Sequence, residues 1–337
     1  GSVVDECGVC GGDGIADGAC DCTGSVVDEC GVCGGDGIAD GACDCDGNVD
    51  LGCGCGEICS TTIDYALDLN NGPNLVSFYA LPDNRDIGYI MSNLQGSSNG
   101  VIGEGEATQI INGNWEGSLD QIKSTSGYWI KIEEASTLSI SDAIPSDPNL
   151  IYDLHAGANL ISYPSGISIP VENGISPEYY GYINGLIGEG VAASLLPNGS
   201  WAGSLTSLDG GKGYWFKVSD DFQFSFEISD DLIRGKGNIE IDRHPDGMEY
   251  NQSTYQAFYF IEDILIKGKP LSEGSWVLAY NNQVLVGARQ WRGAYTDIPA
   301  MGYDNSIETA GYLTDKDNVI LKVIDEDGDI YQLSGEI

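Results

Sequence analysis

Eleven cysteines stand at positions 7, 10, 20, 22, 30, 33, 43, 45, 53, 55 and 59, and no residue after Cys59 is a cysteine. Thiols at CxxC and CxC spacing allow two chemistries. Paired as disulfides, they staple a small Gly-rich tract that cannot build a core, which requires an oxidising compartment. Held as thiolates, four per copy could bind zinc or an iron–sulfur cluster. Eleven does not divide into fours, and the tract has no histidine to help, so staples are the expectation. Short gaps suggest the pairs Cys10–Cys20, Cys22–Cys30, Cys33–Cys43, Cys45–Cys53 and Cys55–Cys59. Cys7 is then left over. In this scheme it pairs with a counterpart of Cys22 in a copy upstream of Gly1, so the odd count predicts an array that continues N-terminally. Spacing alone does not fix connectivity.

The same tract carries carboxylates in register: Asp13, Asp17 and Asp21 recur as Asp36, Asp40 and Asp44. Calcium takes several oxygen ligands in glycine-turned loops. DGIADGACD has the composition but not the D-x-D-x-D-G spacing, and Asp and Gly also serve plain turns. Asp325, Asp327 and Asp329, in DEDGD, carry the same two readings. Calcium is thus the one cofactor to look for.

Other residues invite catalysis or binding. Glu104 and Glu189 sit in matching IGEG contexts, and two carboxylates could serve glycoside hydrolysis. They occupy equivalent places in two tandem segments, however, which need not face each other, and a turn glutamate is the simpler reading. Arg289, Trp291, Arg292 and Tyr295 form the most cationic and aromatic stretch, suited to a glycan or a partner chain, or else to edge-strand protection. His155 and His244 both fall in turns, with no GxSxG nucleophile nearby. Neither VIGEG nor GGKG is a phosphate loop. The expectation is a protein that is not an enzyme.

These residues are embedded in a strongly acidic chain. Fifty-two acids against 14 bases give a net charge of −38, and Arg85 is the first cation. Such a field repels nucleic acid and anionic membranes, and no apolar run is long enough to span a bilayer. The partners it permits are cations, neutral glycans, other proteins or copies of itself.

Duplication occurs at two scales. Residues 1–22 recur unchanged as residues 24–45, a period of 23, and GNVDLGCGCGEIC follows as a degenerate closing copy. Then GPNLVSFYALP, VIGEG, NGNWEGSL and SGYWIKI, within residues 72–132, recur as GANLISYPSG, LIGEG, NGSWAGSL and KGYWFKV. The offset is 85 residues in the first two blocks and 86 in the last two, so one residue was inserted between them. The blocks read as strands: in GYWIKI, Tyr128, Ile130 and Ile132 share one side, and Trp129 and Lys131 the other. NG pairs beside Trp115 and Trp201 suggest hairpin turns. Ile87, Ile90, Met91 and Leu94 form a stripe suited to a short helix. Trp115, Trp129, Trp201 and Trp215 read as core anchors rather than sugar platforms. From Gly237, YQAFYFIEDILIKG, GSWVLAYNNQVLVGARQW and NVILKVIDEDGDIYQL read as strands of a β-sandwich, with Asn281-Asn282 and DEDGD at hairpin tips.

DECGVCGGDG resembles the Cys/Asp/Gly-rich tandem repeats of large secreted surface proteins of marine bacteria. The NLxSF, IGEG, WxGSL and GYWxK blocks, and the SWVLAYNNQVLVGARQW stretch, are similar to modules of the same class, which includes cargo of the type IX export route. The resemblance implies an extracellular, cell-surface location and a spacer role for the repeat, with no enzymatic activity.

The expected architecture is mostly β. A disulfide-stapled repeat stalk (1–59) precedes two homologous β-rich α+β modules (60–146 and 147–232) and a C-terminal β-sandwich (233–337). The expected function is a structural or adhesive segment of an extracellular fibre, assembling head-to-tail with copies of itself or with other surface proteins. The alternative is a glycan-binding surface module using the C-terminal aromatics.

Overall fold

The computed structural model describes residues 3–39, 42–45, 62–94, 96–228 and 244–335. The fold is mostly β. The chain divides into two compact units, Gly1–Thr61 and Thr62–Ile337.

In the first unit the repeat is held by turns and disulfides. The Asp5 carboxylate accepts the amides of Cys7, Val9 and Gly14, and Asp28 repeats this with Cys30, Val32 and Gly37. Each loop brings a valine against a cysteine, Val4 beside Cys10 and Val27 beside Cys33. Those amides favour the charged carboxylate and hold both aspartates below the usual range, with Val9 and Val32 the largest contributors. Val3, Val4, Val9, Val26, Val27 and Val32 are all exposed, as expected of a tract without a core.

The disulfides with both cysteines among the described residues include Cys7–Cys22, Cys20–Cys33 and Cys30–Cys45. This corrects the short-gap scheme: Cys10–Cys20, Cys22–Cys30 and Cys33–Cys43 do not form, and Cys45 is committed to Cys30. Bonds within a copy alternate with a bond between copies, so Cys20–Cys33 interlocks the two. Cys43 is also disulfide-bonded. Cys10, not Cys7, is the free cysteine among the described residues. Cys53, Cys55 and Cys59 lie outside them.

The second unit contains three successive cores. Around the first run strands β1 (Ile63–Leu69), β2 (Gly72–Ser77), β3 (Ala80–Leu81), β4 (Ser98–Ile102), β5 (Ala107–Ile111), β6 (Asn114–Gly117), β7 (Gly127–Ile132) and β8 (Ser136–Pro145). They form an antiparallel sheet β2-β7-β4-β5-β6 and a smaller one, β1-β8-β3. A single turn of helix, α1 (Ile87–Ile90), and a 3₁₀ turn at Ser92–Leu94 place Ile87, Ile90, Met91 and Leu94 in this core.

The second core repeats the plan with β9 (Tyr152–Leu154), β10 (Gly157–Ser162), β11 (Ile169–Pro170), α2 (Val171–Gly174), β12 (Ile183–Ile187), β13 (Ala192–Leu195), β14 (Trp201–Gly203), β15 (Ser207–Leu208), β16 (Gly213–Val218) and β17 (Phe222–Phe224). Its main sheet, β10-β16-β12-β13-β14, has the order of the first module's. Even the irregularities recur: both β4 and β12 slip register just before a glycine, Gly100 and Gly185. The inserted residue falls at a hairpin tip. Asn112-Gly113, both at positive φ, turn the chain between β5 and β6, where four residues separate Ile110 from its partner Trp115, whereas five separate the equivalent Leu195 from Trp201.

The C-terminal module has β18 (Gln256–Ile261), β19 (Leu265–Ile266), β20 (Lys269–Pro270), β21 (Trp276–Asn281), β22 (Val284–Gln290), β23 (Thr296–Met301), β24 (Ile320–Ile324) and β25 (Ile330–Gln332). A four-stranded sheet, β22-β21-β24-β25, and the β18–β23 ribbon enclose its core. They approach closely at Gly287, where a Cβ would stand 1.8 Å from the Pro299 carbonyl oxygen. Asn282-Gln283 and the DEDGD segment are hairpin tips, the latter closed by the Asp325 amide on the Asp329 carbonyl.

Candidate functional site: the seam between the paired modules

The alternation in GYWIKI has a consequence on both faces of the sheet. Tyr128, Ile130 and Ile132 enter the first module's own core. Trp129 turns the other way and packs with Leu75 and with Leu160 of the second module, with Ile102 and Trp215 alongside. Trp115 and Trp201 flank their own modules' cores, and the Trp201 indole donates to the Tyr180 hydroxyl. The expected core role of the four tryptophans thus divides: two serve a core, two serve a seam.

Across that seam the modules are related by an approximate two-fold axis. Val76 bridges Lys212, and its equivalent Ile161 bridges Ser126. The Ser77 amide donates to the Gly211 carbonyl at 2.9 Å, and the Ser162 amide to the Thr125 carbonyl at 3.2 Å. The backbones meet so closely that a Cβ on Gly213 would lie 2.7 Å from the Val76 oxygen and 3.3 Å from Gly127 Cα. Both GYW glycines are therefore required by proximity rather than by dihedral angle. The surface is self-complementary, as in an isologous dimer.

The two IGEG glutamates belong to this symmetry. Glu104 Oε2 accepts the Leu160 amide at 2.7 Å, and Glu189 Oε2 accepts the Leu75 amide at 3.1 Å. Each carboxylate of the suggested acid pair is thus bonded to the backbone of the opposite module. Their cations break the symmetry. Glu104 meets His155 Nε2 at 2.6 Å, whereas Glu189 has Lys212 Nζ at 3.7 Å. His155 Nδ1 faces the Ala156 carbonyl. Both ring nitrogens therefore face acceptors, and only the imidazolium can donate to both. The Ala156 carbonyl first, then Glu104, raises the His155 pKa. Beside this pair the seam opens into a cavity of about 260 Å³.

The C-terminal module docks through buried charge. Arg289 donates through Nη2 to the Gly190 carbonyl of the second module at 2.7 Å and to Asp297 Oδ2 at 3.2 Å. Asp297 also accepts the Ser204 hydroxyl of the second module. Burial raises the Asp297 pKa, against the opposing pull of Arg289. Lys131 of the first module reaches Asp304 at 3.0 Å. Sequence reading missed Asp297, Asp304 and Lys131, because nothing local marks a charge that will be buried by a distant module.

The expected ligand patch is corrected accordingly. Arg289 is 2 % exposed and Trp291 4 %, both committed to the interior. Arg292 is exposed and Tyr295 half-buried, with its hydroxyl on Glu262. The four residues do not share one surface. The expected calcium ligands are not gathered either: among the described residues no three acidic, cysteine or histidine groups converge on a point that could hold a metal. Asp21 instead accepts the Thr23 and Ser25 amides, and Asp325 those of Asp327 and Asp329, as turn chemistry requires. Asp13, Asp17, Asp36 and Asp44 join no such cluster, and Asp40 lies outside the described residues. His244 contacts the Pro245 carbonyl and the Tyr250 ring.

The disulfides among the described residues point to an oxidising environment. No helix among the described residues is long and apolar enough to cross a membrane. No protein-family model matches the chain, and no curated protein or solved structure is significantly similar to it.

Proposed function

We propose that this chain is a non-catalytic, extracellular structural or adhesive segment, in which a disulfide-locked repeat spaces a body of three docked β modules. The observation that carries the reading is the Cys20–Cys33 bond between successive copies. It makes the repeat a covalent chain of links rather than a row of separate loops, which suits a spacer under tension. The reading is further supported by the fate of the residues singled out for catalysis or binding: Glu104 and Glu189, the candidate acid pair, and Arg289, of the candidate ligand patch, are spent on joints between modules. It also accords with the resemblance of DECGVCGGDG to spacer repeats of secreted marine bacterial proteins.

Electron microscopy of material shed from the producing cells, with intact mass and thiol titration, tests this. Fibres or tethered particles carrying oxidised protein are expected. Recovery of the chain only from the cytoplasm, with its thiols free, would overturn the reading.

A further inference from the structure

The seam has two equivalent edges, and one of them holds a template for what the other lacks. At the closed edge, Lys212 extends to Glu189, and Leu67 packs over Gly211, its Cδ2 only 2.4 Å from where a Cβ would stand. At the other edge the position of Lys212 is taken by Ser126, and that of Leu67 by Tyr152, whose hydroxyl is turned to Ser162 in its own module. There the seam is open. The cavity of about 260 Å³ is bounded by Glu104, Ser126, Tyr152, His155 and Leu160. The exposure of the two glutamates follows: the Glu189 side chain is 8 % exposed and the Glu104 side chain 35 %.

We propose that this seam cavity binds a primary alkylammonium group, seated against Glu104 as the Lys212 ammonium is seated beside Glu189. The aliphatic stem would run along Leu160 and Tyr152, and the charge would meet a carboxylate already fixed by the Leu160 amide. The volume is below the ~300–1,000 Å³ of drug-sized pockets and suits a side-chain-sized ligand. The chain's excess of acids attracts such a cation from a distance. His155 is the internal competitor. Its twin position is Asn70, so the closed edge has a lysine and no histidine, and the open edge a histidine and no lysine. A ligand ammonium therefore displaces or outlasts the imidazolium, and binding strengthens at pH values where His155 is neutral. Asp153 lines the same cavity, and Asp221 accepts the Ala156 amide beside it and adds its charge to the surroundings of His155.

The test is calorimetric titration of the full chain at pH 8 with butane-1,4-diamine and with Nα-acetyl-lysine N-methylamide. Binding of either supports the proposal. Tighter binding of the diamine identifies a free amine as the natural source, and tighter binding of the lysine derivative identifies a lysine of a partner protein. Ser126→Lys should abolish binding by filling the site from within, while leaving the melting temperature unchanged or higher. His155→Asn should tighten it, and Glu104→Gln should weaken it roughly tenfold or more, the worth of one charge-assisted contact. Should Glu104→Gln fail to fold, Ser126→Lys decides. No heat with either amine in the unaltered chain, or binding that survives Ser126→Lys, overturns the proposal.

Discussion

Glu104 accepts the amide of Leu160 across the seam at 2.7 Å, and the duplicated pair Glu189 and Leu75 returns the same bond at 3.1 Å. Both amides belong to buried residues, so each would be left without an acceptor if its glutamate were truncated. Glu104→Ala and Glu189→Ala should therefore each cost about 1–3 kcal/mol. The larger loss is expected for Glu189, which is the more enclosed carboxylate. Because the two bonds clamp one interface, the double variant should depart from additivity by about 0.5 kcal/mol or more. Urea titration of the four proteins measures both quantities. Losses below about 0.5 kcal/mol for both single variants, the scale of ordinary surface changes, would mean that the carboxylates do not hold the seam.

A second joint depends on buried charge. Arg289 and Asp297 are each 2 % exposed, so removing one leaves the other uncompensated. Arg289→Ala should cost about 3–5 kcal/mol, as for other broken buried pairs, whereas Arg289→Met combined with Asp297→Leu should cost much less. Denaturation of the single and double variants distinguishes the cases. Equal losses would show that the guanidinium acts by packing and by its bond to the Gly190 carbonyl, not by pairing.

Much of the local structure is legible in the sequence. The alternation of Tyr128, Ile130 and Ile132 against Trp129 and Lys131 gives a strand and its two faces, and both faces are used as the pattern implies. The stripe from Ile87 to Leu94 gives a helical turn, and Asn112-Gly113 gives a hairpin. These signals are local, set by side-chain period and by backbone preference. The seam is not local. Duplication tells that Glu104 and Glu189 are equivalent, but not that equivalent surfaces face each other. The disulfides illustrate the same limit. The Asp5 and Asp28 turns fold each CGVCGGDG loop back on itself, so thiols adjacent in sequence are not the nearest in space. Arg289 and Trp291 misled for a related reason: Arg289 is covered by a neighbouring module and Trp291 enters its own module's core, and neither burial is marked in the local sequence.

Two ionisable joints should respond to opposite ends of the pH scale. Burial works to raise the Asp304 pKa, but bonds from Ser306, Thr309 and Lys131 outweigh it and hold the carboxyl well below its ordinary 3.8. A depressed carboxyl stabilises the fold above the unfolded value, and that stability is lost as the pH falls through the folded one. Asp304→Asn should flatten the acid limb of the stability curve. His155 is raised above its ordinary 6.5, so its contribution is present in full below that value and lost as the pH rises through the folded pKa. His155→Asn should flatten the stability curve on the alkaline side of 6.5, by a small amount because the pair is exposed. Melting temperatures across pH 2–9 check both. An unchanged acid limb in Asp304→Asn would remove the first assignment.

Reduction should separate the two units. All eleven cysteines lie before residue 60, and the first unit has exposed valines where a core would be. Its order rests on closed loops. The Cys7–Cys22 and Cys30–Cys45 bonds each span 15 residues, and a loop of that length is worth about 3 kcal/mol in the chain-entropy account. Losing the staples therefore leaves the repeat without the free energy to order its backbone, while the three cores of the second unit are untouched. Under a strong reductant, protease should cleave within the repeat and spare the three β cores of the second unit, with the tryptophan fluorescence unchanged because all six tryptophans follow residue 61. Without reductant, alkylation should modify Cys10 among the described cysteines, and peptide mapping should recover Cys7–Cys22, Cys20–Cys33 and Cys30–Cys45. Recovery of Cys10 joined to Cys20 would restore the short-gap scheme. A repeat that resists protease after full reduction would show that the Asp5 and Asp28 turns suffice to hold it.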